Sequence, residues 1–204
     1  NQRIQVLLLA IGDGYVEQKN YTRAIEQYAG VILIPFSTFL EKSRFGLAYV
    51  LADRGVCYLK RAESYDQEKG GNARGDYKAA IGDITEALKC LRGARSLADC
   101  YLNRGACYFY QGDYSEAIQD YREVLKVLSD SSPEDDVWRE FVPVKVKDVL
   151  SETYYKIGLA HMESGRFFDA LPYFQKVTHR FSLDADSEIG SIVMCQWLCG
   201  SFDG

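Results

Sequence analysis

The sequence predicts an all-α protein made of repeated helix hairpins, because one short skeleton of residue types recurs along its 204 residues. The skeleton is a large apolar or aromatic residue, a glycine four positions on, an aromatic-type residue three positions later, and then an alanine. Its occurrences are Leu8/Gly12/Tyr15/Ala24, Leu51/Gly55/Tyr58/Ala80, Tyr101/Gly105/Tyr108/Ala117 and Tyr154/Gly158/His161/Ala170. Repetition at this scale is typical of stacked helix pairs, each of which buries its apolar face only against its neighbours.

The third occurrence shows the helical periodicity most clearly. Apolar, aromatic or small residues stand at positions 101, 105, 108, 117, 118, 121, 124 and 125. This is the i, i+3, i+4, i+7 spacing of amphipathic helices. We expect Gly105 and Ala117 to mark the crossing of the two helices, where larger side chains would push the backbones apart. Gly112 suits the left-handed residue that follows a helix, and Asp113 can cap the next one.

The pattern resembles the tetratricopeptide repeat over about residues 5–181, and the third occurrence matches that repeat nearly in full. The resemblance implies a single domain over residues 1–204, in which four helix-turn-helix repeats form a right-handed superhelix. The implied repeats cover about residues 5–34, 48–91, 98–128 and 151–181. Arg54 and Arg104 stand where leucine or isoleucine is commoner, and His161 replaces a tyrosine. We expect these three departures to weaken individual contacts.

Insertions separate the repeats more widely than the usual spacing of about 34 residues. They fall at residues 35–43, 61–74 and 129–147. We expect residues 61–67 to extend the first helix of the second repeat, and Pro143 to begin a helix. Residues 186–199 place apolar side chains on one face. They are either a C-terminal helix that caps the stack or the first helix of a truncated fifth repeat.

Composition and charge are ordinary for a folded protein, with 47% hydrophobic and 26% charged residues. A net charge of −5 offers no broad basic surface to displace phosphate counterions, so we expect no nucleic-acid binding. The longest apolar runs, at 6–11 and 31–36, are too short to cross a bilayer, so no membrane insertion is expected. The chain begins at Asn1 without a secretion signal, and we expect a cytoplasmic fragment of a longer protein.

The six cysteines favour reduced thiols. Cys57 and Cys107 occupy the same position in successive repeats, so we interpret them as small core residues and not as a disulfide or metal framework. Cys195 and Cys199 lie four residues apart on a predicted helix. Neither of the two histidines is near them in sequence, so we predict no metal site.

No motif in the sequence predicts catalysis. Arg74-Gly75-Asp76 spells an integrin-binding tripeptide, but we interpret its glycine and aspartate as an inter-helix turn equivalent to Gly112-Asp113. The glycines at 70–75 lack the lysine of a phosphate-binding loop. His161 and His179 have no nearby serine, cysteine or carboxylate arranged for nucleophilic catalysis. We therefore predict a protein that is not an enzyme and that needs no cofactor.

In tetratricopeptide-repeat proteins the first helix of each repeat lines a concave groove, and the resemblance carries this role to fixed positions around each glycine. The groove residues that we expect to contact a partner are Asp13, Glu17, Tyr49, Asp53, Lys60, Asp99, Asn103, Phe109, Tyr110, Glu152, Tyr155 and Lys156. The other inward positions are Val6, Leu9, Ala10, Val16, Ala52, Val56, Leu59, Leu102, Ala106, Leu159, Met162 and Glu163. An asparagine at the position of Asn103 holds the backbone of an extended peptide in the family; the alternative is a solvent-facing helix residue. Burial against neighbouring helices is the alternative for Tyr49, Phe109 and Tyr155.

The implied groove holds more carboxylates than lysines, with aromatic residues between them. Such a surface suits a linear segment that carries lysine or arginine and apolar anchors. Some family members clamp the acidic carboxyl terminus of Hsp70 or Hsp90. That clamp is incomplete here, because Ala52, Val56 and Glu152 stand where its lysine, asparagine and lysine belong.

The function that the sequence predicts is protein–protein binding, as an adaptor or scaffold module whose groove holds a segment of another protein. The alternative is a structural subunit that forms a homo-oligomer, or assembles in a fixed complex, through its inserted loops and residues 186–199.

Overall fold

The structure is a computed structural model, and it describes residues 2–34, 40–68, 72–130 and 143–177. These described residues form helices joined by turns, without a strand, so the predicted all-α class is confirmed. The helices are α1 (Gln2–Glu17), α2 (Tyr21–Leu33), α3 (Leu40–Glu68), α4 (Ala73–Leu88), α5 (Ala94–Gln111), α6 (Tyr114–Asp130), α7 (Pro143–Glu163) and α8 (Phe167–Phe174).

The chain divides into two compact units, Asn1–Arg92 and Gly93–Gly204. In the first unit α1 packs on α2, α2 on α3, and α3 on α4. In the second unit α5 packs on α6, α6 on α7, and α7 on α8. Within each unit, the second helix of one hairpin therefore also contacts the first helix of the next hairpin, as in a stacked repeat array.

Some sequence-based boundaries are confirmed and others are wrong. The first helix of the second repeat extends to Glu68 and α7 begins at Pro143, as predicted. However, α3 begins at Leu40, inside the segment that we predicted to be a connection. Gly75-Asp76 lies in the first turn of α4 and not in the turn before it. Residues 186–199, predicted to cap the stack, lie outside the described residues.

Side chains and glycines fix the helix ends. Asn20 Oδ1 accepts a hydrogen bond from the backbone N–H of Arg23 at 3.3 Å, which satisfies one of the amides left unpaired at the start of α2. Asn72 Oδ1 accepts from the N–H of Gly75 at 3.1 Å in the same way. Gly112 ends α5 with a φ of 84°, a left-handed conformation that glycine adopts at little cost.

Close contact between a glycine of the first helix and a large side chain of the second occurs in every hairpin of the described residues. The pairs are Gly12–Tyr28, Gly55–Ile84, Gly105–Tyr121 and Gly158–Phe174. A Cβ on any of these glycines would stand only 2.5 to 2.8 Å from the partner side chain. The alanines of the skeleton, at positions 24, 80, 117 and 170, are completely buried. The prediction that the helices cross at small residues is confirmed.

Arg54 and Arg104 form partly buried ion pairs, which corrects the expectation that they weaken contacts. Arg54 donates to both carboxylate oxygens of Asp83, at 2.7 and 2.8 Å. Arg104 donates to both carboxylate oxygens of Asp120, at 2.8 and 2.7 Å. Each arginine directly precedes its crossing glycine, and each aspartate directly precedes the residue that packs on that glycine. One ion-pair geometry therefore recurs in two hairpins.

His161 occupies a buried core position of α7 and stacks on the Tyr173 ring, with 5.4 Å between ring centroids. Neither of its ring nitrogens has a hydrogen-bond partner in the part of the chain that the structure describes. The exposed Asp169 carboxylate lies 3.9 Å from Nδ1. Burial, and then the charge of Arg166, lower the pKa of His161 below its usual 6.5. The ring therefore keeps a stacking contact in the core, and the expectation that this departure weakens a contact stays a prediction.

Gly12 and Gly14 provide a matched pair of substitutions in one helix. Gly12→Ala should lower the free energy of unfolding by about 1–2 kcal/mol, because the added methyl group overlaps the buried Tyr28 ring. Gly14→Ala should raise it by about 0.5–1 kcal/mol, because alanine favours helix and a Cβ there meets nothing within 4 Å. Urea unfolding of both variants measures the difference, and equal effects would contradict the crossing contact.

Asp120→Ala should lower the free energy of unfolding by about 3 kcal/mol, because it leaves the Arg104 guanidinium largely buried without its carboxylate. Replacing both residues with leucine should recover most of that loss. Glu123→Ala is the control in the same helix, since its contact with Lys126 is exposed and should be worth less than about 0.5 kcal/mol. Chemical denaturation measures the free energy of unfolding of all three variants. A loss of under about 1 kcal/mol for Asp120→Ala would contradict a structural role for the pair.

Acid should destabilise the second unit through His161. Because the folded-state pKa lies below 6.5, the stability from this group is complete above pH 6.5 and is lost as the pH falls through that lowered pKa. His161→Phe should remove this part of the pH dependence, and the expected readout is a melting temperature that varies less between pH 7 and pH 5. An unchanged pH profile would show that His161 titrates alike in folded and unfolded chains.

Candidate functional site

A pocket in the second unit brings together several of the predicted groove residues. It has a volume of about 150 Å³ and lies between α5, α6 and α7. Its lining consists of Ala106, Phe109, Tyr110, Tyr121, Glu152, Tyr155, Lys156 and Leu159. All of these except Tyr121 are inward positions that the resemblance implied. The pocket walls are thus mainly aromatic, with one acidic and one basic side chain at α7.

Phe109 and Tyr110 reach the pocket because they follow Gly105 by four and five residues, on the last turn of α5. Their rings meet edge to face with centroids 5.8 Å apart. Phe109 also packs edge to face on Tyr114 at 5.5 Å, which fixes its orientation. Tyr110 is half exposed. Phe109 is therefore held by its neighbours, while Tyr110 presents an apolar ring to solvent and can contact a partner.

Tyr155 and Tyr121 line the pocket as buried side chains. Tyr155 is buried and packs against Phe174 with ring centroids 5.8 Å apart, so the burial alternative applies to this residue. Tyr121 comes from α6, and the sequence analysis missed it because the family pattern assigns the groove to first helices. The sequence did carry a signal for it. Tyr121 packs on the crossing glycine Gly105 of α5, and such a residue of a second helix lies between the first helix of its own hairpin and that of the next hairpin.

The charged residues of the pocket belong to one ion pair. Lys156 Nζ lies 3.2 Å from Glu152 Oε1, one turn apart on α7. Their charges therefore largely cancel, and the pocket favours an apolar side chain more than an ion. Lys156 is also the lysine with which a carboxylate clamp would hold its acidic ligand, and here it is paired with Glu152.

Asp99 and Asn103 lie on α5 but do not line the pocket. The Asn103 amide donates to the backbone carbonyl of Asp99 at 2.8 Å. Asp99 is also 3.5 Å from Arg95, an exposed pair on the same helix. Partial desolvation of the carboxyl group raises the pKa of Asp99, although the Arg95 cation lowers it. Their predicted role in holding a peptide backbone stays a prediction.

The predicted groove residues of the first unit lie on α1 and α3. Asp13 Oδ1 accepts a hydrogen bond from the Tyr28 hydroxyl at 2.7 Å. Desolvation, and then the negative charge of Asp13, raise the pKa of Asp53 to about 6. Lys60 pairs with Glu63 at 2.9 Å. Glu17 and Tyr49 are exposed, so Tyr49 is not buried against neighbouring helices.

Cys57, Cys90, Cys100 and Cys107 are reduced thiols in the part of the chain that the structure describes. Cys57 is buried, and burial together with the charge of Asp53 raises the pKa of its thiol to about 12. Across the described ranges, no group of three or more histidine, cysteine, aspartate or glutamate residues is arranged to hold a metal ion. Within the same ranges, no helix is long and apolar enough to cross a bilayer. Cys195 and Cys199 lie outside the described residues.

The fold and its pocket define a helical-repeat protein whose hairpins stack through small residues. Models of the tetratricopeptide repeat match residues 98–131 and 152–183. The chain therefore carries tetratricopeptide repeats, as the sequence predicted. The two matched segments contain most of α5–α6 and most of α7–α8, the hairpins that form the pocket.

The solved structures that are similar to this chain include two helical-repeat or scaffold proteins. One is the structure of the yeast histone chaperone Hif1, which is described as a scaffold protein. It matches with a TM-score of 0.58 and 13% sequence identity, and the match covers 96% of this chain and 94% of that chain. The C-terminal part of a TPR repeat-containing protein from Cytophaga hutchinsonii has a TM-score of 0.40 and 16% identity, covering 92% and 69%. At 13% identity, the likeness to Hif1 shows the fold alone. No curated protein matches the sequence.

The raised pKa of Asp53 can be measured directly by NMR titration of its carboxyl group. We expect a pKa of about 6, and we expect Asp13→Asn to lower it part of the way toward 3.8, since desolvation remains the larger cause. Stability from Asp53 is complete below about pH 3.8 and is lost as the pH rises through about 6. Because Asp53 is exposed, solvent screens part of this effect, so Asp53→Asn should stabilise the protein only slightly at pH 7 and have little effect near pH 3. A pKa near 4 would contradict this account.

Proposed function

We propose that this chain is a protein-binding domain that holds a linear segment of another protein on its first helices. A large apolar side chain of that segment enters the pocket between α5, α6 and α7. The pocket carries the proposal, because positions implied by the tetratricopeptide resemblance line nearly all of it. Tetratricopeptide repeats present such surfaces to other proteins, and they rarely perform chemistry.

The size and chemistry of the pocket suit one apolar anchor. A volume of about 150 Å³ accommodates a leucine or phenylalanine side chain but not a folded ligand. An anchor that is buried between aromatic rings gains both area burial and ring contacts. A single segment held in this way should bind with micromolar affinity, which corresponds to about −8 kcal/mol.

The first unit offers a contact surface of its own on α1 and α3. Its carboxylates at Asp13, Glu17 and Asp53 favour lysine or arginine in the bound partner. A nearby cation favours the ionised form of Asp53, whose pKa is about 6. Binding of a basic segment there should therefore release protons and tighten between pH 5 and pH 7.

A comparison of pocket and control variants tests the proposal. Three versions of the chain are used as bait to capture proteins: the wild type, the double variant Phe109→Ala/Tyr110→Ala, and the control Phe168→Ala. Phe168 is a matched control because it is an exposed aromatic residue outside the pocket. Tyr155 is avoided, because its loss would remove the packing on Phe174. We expect the double variant to lose the captured proteins that the wild type and the control retain.

A second measurement defines the anchor. Peptides tiled across a captured protein are scanned by alanine substitution against the wild-type chain, and we expect one large apolar residue to dominate binding. Loss of that residue should cost about 2 kcal/mol or more. Capture that survives in the double variant, or binding without any apolar anchor, would contradict the proposed site.

The alternative function, self-association through the inserted loops and residues 186–199, depends largely on segments outside the described residues. That alternative therefore stays a prediction. The cytoplasmic location, the lack of enzymatic activity and one continuous groove over residues 1–204 also stay predictions.

A further inference from the structure

A cavity of about 240 Å³ lies between α5 and α6 in the second unit, and it shares no lining residue with the pocket of the proposed site. Its α5 wall carries two tyrosine rings and a guanidinium group, and its α6 wall carries three carboxylates. These side chains are Tyr101, Arg104, Tyr108, Glu116, Asp120 and Glu123. We call this space the tyrosine–carboxylate cavity.

Helical spacing brings these side chains to the cavity. Tyr101 and Tyr108 are seven residues apart and therefore lie on one side of α5. Glu116, Asp120 and Glu123 follow the i, i+4, i+7 spacing and therefore lie on one side of α6. The cavity thus has an aromatic wall and an acidic wall.

The lining of the cavity carries more negative than positive charge. Arg104 balances the charge of Asp120, because it donates to both carboxylate oxygens at 2.8 and 2.7 Å. Glu116 is exposed, and Glu123 meets Lys126 only at 4.0 Å, with the lysine side chain 67% exposed. Such an exposed contact contributes little, so both glutamates can attract a cation that enters the cavity.

One cation already lies against the aromatic wall. Cζ of Arg104 is 5.6 Å from the centroid of the Tyr101 ring, which is a cation–π distance. Burial raises the pKa of Tyr108, Arg104 lowers it, and nearby carboxylates, first that of Asp120, raise it again. The negative potential of the acidic wall therefore reaches the Tyr108 ring, and a second cation would be stabilised beside it.

The second hairpin shows that its fold does not require all of these side chains. It has the same ion pair, formed by Arg54 and Asp83 at 2.7 and 2.8 Å. At the position of the first tyrosine it has Leu51, and four residues before the aspartate it has Ala79, where α6 has a glutamate. A hairpin with this ion pair therefore forms without the tyrosine and the glutamate, so packing alone does not account for them.

We propose that the tyrosine–carboxylate cavity binds the side chain of a lysine or arginine in a segment of another protein. Its charged group lies between Glu116 and Glu123, and its methylene groups lie against the rings of Tyr101 and Tyr108. A volume of about 240 Å³ accommodates one such side chain, whose apolar stem and charged end match the two walls. An apolar side chain would desolvate the glutamates without compensation, and an acidic one would be repelled.

A capped peptide with one lysine, flanked on each side by two glycines, serves as the probe. It is titrated into the 204-residue chain at low salt, and binding is followed by NMR through the ring signals of Tyr101 and Tyr108. We expect saturable binding with a dissociation constant of about 1 mM. Acetylation of the lysine removes its charge but keeps its stem, and it should weaken binding about tenfold or more.

Glu123→Gln and Glu86→Gln form a matched pair of variants. Each glutamate stands three residues after the aspartate of an ion pair and contacts a lysine three residues further on. Glu123→Gln should weaken binding of the probe about fivefold, whereas Glu86→Gln, outside the cavity, should stay within about twofold of the wild type. Tyr101→Leu combined with Glu116→Ala installs the residues of the second hairpin, so the fold should be kept while binding weakens about tenfold or more.

The double variant Phe109→Ala/Tyr110→Ala separates this cavity from the site of the proposed function. It should bind the probe as the wild type does, because both residues line the other pocket. Loss of probe binding in that variant would place the lysine in the other pocket and would overturn the proposal. Failure of the probe to saturate, equal binding of the acetylated peptide, equal effects of Glu123→Gln and Glu86→Gln, or full binding to Tyr101→Leu/Glu116→Ala would also overturn it.

Discussion

The contact between a crossing glycine and one large side chain is the constraint on which every described hairpin depends. At Gly12, Gly105 and Gly158 the partner is an aromatic ring sixteen residues later, and the backbone of the first helix lies directly against it. This contact sets both the distance between the helices and their register. The functional side chains then occupy fixed positions counted from the glycine, as Phe109 and Tyr110 do after Gly105.

The register around the glycine gives a first helix three distinct sides. One side meets the second helix of its own hairpin through the glycine, and another meets the preceding hairpin through residues such as Val50 and Ile157. The third side holds the inward residues, which form an aromatic pocket in the second unit. Function is therefore carried by residues that the packing leaves available.

The sequence predicted the features that follow from local periodicity. Glycine and alanine recur where helices cross, and the positions around Gly105 and Gly158 identified most of the pocket lining. It did not predict features that depend on distant pairing. Arg104 looked unfavourable because its partner Asp120 lies on another helix. The burial of Tyr155 was left as an open alternative, because it depends on Phe174 in the next helix. The early start of α3 was missed because an insertion carries no repeat signal.

The most direct test of this account is the energetic coupling between Gly105 and Tyr121, measured by a double-mutant cycle in urea. Gly105→Ala alone introduces a methyl group against the tyrosine ring, and Tyr121→Leu removes the ring atoms that it meets. If the contact fixes the hairpin, Gly105→Ala should be much less destabilising when Tyr121 is leucine, with a coupling of at least about 1 kcal/mol. Effects that add within about 0.3 kcal/mol would contradict the account, because the two residues would then act independently.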